Sequence, residues 1–202
     1  MMATTHVLAG VLVGVAASAL APEAGPLVLW GALGGLAPDL DLLGAHRKDL
    51  HFPAYGSLAA LAAVALAAVA PSPATVGVAV FLLAAALHAV SDAFGGDLEL
   101  RPWEQTGDRA VYEHLRGRWH PPRRWIRYDG APEDFFAGLA LALPAFAVLD
   151  GPARWVIATI VVVSAVYALG RRTLVDGGER AVAVVPESVL AAVPETLIED
   201  LR

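Results

Sequence analysis

Six apolar segments constrain this chain more than any other feature: Val7–Ala21, Pro26–Leu36, Tyr55–Ala70, Thr75–Val90, Phe135–Leu149 and Ala153–Gly170. They are rich in Ala, Leu and Gly and lack the two-residue alternation of a half-buried strand, so they predict helices. Apolar residues make up 57% of the chain and charged ones 17%, against about 45–50% and 25% in soluble domains. That excess points to a membrane. A spanning helix needs about 17–25 residues, so several segments are short. Pro26–Leu36 is short enough to be re-entrant. The predicted fold is all-α: a polytopic membrane helical bundle of about six apolar helices, with a polar cytoplasmic insert at residues 92–134. The helical domain covers residues 1–180, and a short cytoplasmic tail covers 181–202. The run from Val7 follows His6 and two threonines, not a basic stretch, so it reads as a first span.

Basic residues give an independent test. If all six segments span, the N-terminus, the Arg47–Lys48 loop, the insert and the C-terminus share one side. That side holds thirteen of the 14 Lys and Arg residues, leaving only Arg154 opposite. The bias makes that side cytoplasmic, with both termini there and the protein multi-pass in the cell membrane.

The insert mixes Trp103, Tyr112, Trp119, Trp125 and Tyr128 with arginines, a combination suited to headgroups and anionic lipid. Interleaved acids and a net charge of −6 argue against nucleic acid. With no cysteine, thiolate metal sites and a cysteine nucleophile are excluded. In the tail, Val185–Ser188 and Val193–Thr196 each place Pro then Glu where a short helical turn begins.

The chemistry concentrates in Gly35–His51, which sets Asp39, Asp41, His46 and His51 after an apolar segment. Pro38 stops the preceding helix and leaves the acids at its mouth. His88 and Asp92 stand at i, i+4, on one helix face. His6 opens the first segment. In the proposed topology all seven side chains gather on one face, and carboxylates with neutral imidazoles suit zinc, manganese or iron. Each also has a reading without metal: His6 as a capping residue, Asp39 and Asp41 as turn and cap residues, His46 and His51 as interfacial groups. His88 with Asp92 can be a buried hydrogen-bonded pair, although an ionisable group inside an apolar helix is expensive and usually functional.

Thr5–His6, Gly34–Asp41, His46–His51 and His88–Asp92, taken in order, resemble the YdjM-type membrane-bound metal-dependent hydrolase family over about Thr4 to Pro102. The departure is around His51, flanked here by Leu50 and Phe52 where the family often has Thr and Ser. The resemblance implies an all-helical membrane hydrolase with a distant likeness to zinc-dependent phospholipase C.

The expected function is metal-dependent hydrolysis at the cytoplasmic face, on a phosphoester or lipid headgroup. The metal, zinc foremost, falls to His6, Asp39, Asp41, His51, His88 and Asp92. Asp41 is the expected base for the bound water, and His46 and Arg47 steady the anionic group of the substrate. The alternative is a non-enzymatic membrane protein with a structural or regulatory metal. A cation transporter is disfavoured because the polar residues gather at one mouth, not at the midplane.

Overall fold

Each of the six apolar segments is a helix in a computed structural model that describes residues 1–193. They are α1 (Ala3–Leu20), α2 (Leu27–Leu36), α3 (Pro53–Val69), α4 (Pro73–Ser91), α5 (Pro132–Val148) and α6 (Gly151–Val184). Proline opens α3, α4 and α5, where its missing N–H costs nothing. At α4 the Ser72 hydroxyl also accepts from the Thr75 amide at 3.1 Å, while the Ser72 amide donates to the Thr75 hydroxyl at 2.9 Å. Three stretches are long and apolar enough to cross a membrane: α1, Pro73–Phe94 and α6.

Small residues set the packing. Gly10 and Gly31 bring the backbones of α1 and α2 together so closely that neither position has room for a Cβ. A Cβ on Gly14 would lie 2.5 Å from Val28 Cα, and one on Gly34 would strike the Phe81 backbone of α4. This close approach is how apolar helices associate where lipid removes the hydrophobic drive between them. On its other side α1 packs Leu8 and Val11 against Ala142 and Ala145 of α5 and Ile157 of α6. The outward faces are apolar as well: Leu58 and Leu61 of α3 and Trp155, Val162 and Leu169 of α6 are exposed.

Asp134, fully buried at the start of α5, fixes the beginning of α1. It accepts from the Met2 amide at 2.7 Å, the Thr5 hydroxyl at 2.8 Å and the Gly130 amide at 3.1 Å. The Met2 amide at the mouth of α1 thus finds a carboxylate at the positive end of the helix.

Sequence and structure part in two places. The last apolar segment ends at Gly170 by hydropathy, yet α6 continues to Val184. Its charged extension docks the insert, with Arg101 donating to Glu179 Oε2 at 2.6 Å and to Asp176 Oδ1 at 2.9 Å. The insert contains a small antiparallel hairpin, β1 (Val111–Glu113) with β2 (Arg118–His120), the only strands among the described residues. In the tail, Pro186 precedes α7 (Glu187–Leu190). The second Pro–Glu turn falls on residues 194–196, outside the described residues.

Candidate metal centre

After α2 the chain tightens into a 3-10 segment, Ala37–Leu43, with Pro38 in its first turn. At three residues per turn, positions two apart lie two-thirds of a turn from each other. Asp39 and Asp41 therefore diverge, while Leu40 and Leu42 between and after them are exposed. The chain then turns through Arg47, whose φ of 57° is costly for a residue with a side chain. The turn is held from the insert: the Tyr112 amide donates to Arg47 O at 2.9 Å, and Arg47 Nη1 donates to Gly96 O at 2.9 Å. His51 follows just before α3, wholly buried.

His88 and Asp92 arrive from the end of α4 and His6 from the first turns of α1. The His6 and His88 rings stack with centroids 3.6 Å apart. His88 Nδ1 lies 2.7 Å from Gly35 O, and because a carbonyl only accepts, that nitrogen carries the proton. His51 Nδ1 lies 2.8 Å from Asp41 Oδ2. Both rings are thus fixed through Nδ1 and turn Nε2 inwards, the arrangement in which an outer partner orients a metal-binding imidazole.

The inward atoms converge. His51 Nε2 is 3.2 Å from His88 Nε2, 3.1 Å from Asp92 Oδ2 and 3.9 Å from Asp39 Oδ1. His88 Nε2 is 3.3 Å from Asp39 Oδ1 and 3.6 Å from Asp92 Oδ2. Donors about 2.0–2.1 Å from a tetrahedral ion stand about 3.3 Å apart, so His51 and His88 stand near ligand spacing from one another, from Asp39 and from Asp92. Two carboxylates and two neutral imidazoles also balance a divalent charge in a site where an unpaired charge is costly. The buried His and Asp groups can therefore hold a metal ion, as His6–His88–Asp92 and as Asp39–His51–His88. The two groups share His88, which has one free lone pair, so they describe one centre and not two complete ones.

His6 sits beside that centre, its Nε2 3.1 Å from Asp92 Oδ1, the oxygen turned away from His51. The Met1 amino group is 3.0 Å from the same oxygen. Asp41 lies outside both ligand groups: Oδ1 meets His46 Nδ1 at 2.8 Å, and Oδ2 meets His51 and the amides of Lys48 and Leu50. Burial opposes its ionisation, but the hydrogen bonds from His46 and His51 outweigh that and hold its carboxyl well below the ordinary carboxylate range. Burial likewise opposes a charged His51, and its bonds to Asp41 and Asp92 prevail, raising it above the usual imidazole value. Ion and proton thus compete for His51 Nε2.

One side of the centre is open. A cleft of about 390 Å³ is lined by Asp39, His46 and Arg47 and continues to Val163, Tyr167 and Arg171 of α6. Asp39 is the one half-buried member of the ligand groups. Arg47 is buried, and its Nε lies 3.5 Å from Asp92 Oδ2 without a hydrogen-bond partner. The Gly35 carbonyl and the anchoring of Arg47 by Gly96 carry no signature in sequence, because both act through backbone atoms. No family model, curated protein or solved structure matches this chain.

Asp41→Asn tests its orienting role. Losing an outer partner of a ligating histidine costs about 10–100-fold in metal affinity, with stoichiometry kept. Zinc titration of the purified variant checks this; unchanged affinity would remove Asp41 from the centre.

Proposed function

We propose that this chain is a multi-pass membrane protein, a metal-dependent hydrolase of the YdjM type. Its six helices cross or enter the bilayer, its termini are cytoplasmic, and its site lies at the cytoplasmic face. The thirteen-to-one distribution of basic residues and the exposed apolar faces of α3 and α6 support this placement.

Asp39, His51, His88 and Asp92 are the residues that would hold a zinc ion, and the chemistry it would supply there is activation of a water and polarisation of a phosphoryl oxygen. Arg47, anchored through Nη1 to Gly96 O and lining the cleft, offers its positive charge to the anionic group of the substrate. His46 takes the proton of the attacking water and returns it to the leaving oxygen. Asp41, bonded to Nδ1 of both His46 and His51, holds one ring at the cleft and the other at the metal. The base role expected of Asp41 thus passes to His46, and its expected ligand role becomes a positioning one. His6 supports Asp92 and His88 from outside the four-donor set. The observation that carries the reading is the cleft itself, lined by a ligand candidate together with His46 and Arg47.

A second reading is favoured by the number of donors: four protein ligands close a tetrahedral ion, as in structural zinc sites. Turnover separates the two. Zinc-loaded protein is expected to hydrolyse bis(para-nitrophenyl) phosphate, and His46→Gln to lower kcat by about 10²–10⁴-fold with metal content unchanged. Stoichiometric metal with no turnover of soluble or lipid phosphoesters, in zinc, manganese and iron forms alike, would leave a structural or regulatory metal.

A further inference from the structure

The cleft beside the metal centre does not end there. Its far side is formed by α6, where Val163 and Arg171 stand eight residues apart, about 12 Å along the helix axis. Val163 lies within the apolar run of α6 and is 51% exposed, so one wall of the cleft is continuous with the outward apolar face of that helix. Leu42, 53% exposed, adds an apolar side chain next to the metal side. In the membrane reading this flank of the cleft meets acyl chains.

The metal side is polar. Across from it, on the α6 side, Arg171 is held by Asp129, with its Nε donating to Oδ2 at 3.0 Å. Arg47, with its Nε 3.5 Å from Asp92 Oδ2 and its Nη1 donating to Gly96 O at 2.9 Å, lines the cleft beside Asp39. The cleft thus joins a charged end, where Asp39, Asp97, Glu99 and Asp129 stand with Arg47 and Arg171, to an apolar end open towards the bilayer. Its 390 Å³ lies within the range of small-molecule sites, about 300–1,000 Å³. That volume takes a headgroup and the first part of one chain, the remainder staying among the lipids.

We propose that the cleft admits a phosphate-bearing membrane lipid sideways from the bilayer, with its phosphate at Arg47 and the start of an acyl chain along Leu42 and Val163. This rests on the membrane placement and metal centre proposed above and adds the substrate class and its route.

The test uses the full-length, zinc-loaded protein in detergent, incubated with dioleoyl phosphatidic acid, with retained lipid counted by native mass spectrometry. Val163→Trp fills the apolar end and is expected to retain about tenfold less lipid than Val162→Trp, an exposed neighbour that does not line the cleft. Equal zinc content in both variants establishes that both are folded. Leu42→Arg, at an exposed position before α3, places a charge in the chain path and is expected to give the same loss. Arg47→Gln lowers retention from the phosphate end. Retention by Val163→Trp and Leu42→Arg equal to that of Val162→Trp would overturn the proposal, as would dioleoylglycerol, which lacks phosphate, being held equally well. If the expected pattern holds but the lipid is never hydrolysed, the hydrolase reading falls and the lipid site stands.

Discussion

His88→Ala is expected to abolish stoichiometric metal binding. His88 Nε2 is the atom common to both ligand groups, and its ring is locked by Gly35 O on one side and by stacking on His6 on the other. Removing it takes away a direct ligand and leaves Asp39 and Asp92 facing one another with less positive charge between them. Loss of an outer partner alone costs about 10–100-fold in affinity, so the loss here exceeds about a hundredfold. His6→Ala supplies the contrast. His6 meets the far oxygen of Asp92, so its removal is expected to cost no more than an outer partner does. Competitive zinc titration of the two purified variants gives the ranking. An equal or larger loss in His6→Ala would move the ion to the His6–His88–Asp92 side of the centre.

The second large effect is on folding. Gly31→Val is expected to destabilise the bundle by at least about 3 kcal/mol, the upper part of the usual overpacking range, because the new Cβ meets backbone and not a side chain that can swing away. It collides with Gly10 O of α1 and lies 3.0 Å from the Gly14 amide, so α1 and α2 must separate. The damage reaches the metal centre, because α2 leads directly to Gly35 and Asp39 while α1 carries His6. Gly177→Ala is the matched control. A Cβ there meets nothing within 4 Å, and alanine gains up to about 1 kcal/mol over glycine in a helix. Thermal unfolding in detergent is expected to show a large fall in Tm for Gly31→Val and none for Gly177→Ala. A Gly31→Val protein as stable as wild type would mean that α1 and α2 are not in backbone contact.

How far the sequence carries depends on what kind of signal each element leaves. The six helices are legible because long apolar runs without alternation have few other ways to fold. The extension of α6 to Val184 is not, because its charges erase the hydropathy signal while its pairing with Arg101 holds it against the insert. The hairpin Val111–His120 is missed for a different reason: three-residue strands among arginines carry too little pattern. At the centre, the i, i+4 spacing of His88 and Asp92 and the shared face proposed for His6, Asp39 and His51 are visible in the chain. The separate fates of Asp39 and Asp41 are not. They depend on the 3-10 geometry after Pro38, which turns one carboxylate to the metal side and the other to His46 and His51. The His88–Gly35 bond is equally hidden, since nothing in a glycine's identity marks its carbonyl as an acceptor.

In the proposed centre one ion sits among Asp39, His51, His88 and Asp92. Zinc K-edge absorption on the purified, zinc-loaded chain tests it most directly. Nitrogen and oxygen donors at about 2.0–2.1 Å are expected, with the outer scattering of two imidazoles. A shell of oxygen donors without imidazole scattering, or no bound zinc at all, would contradict it.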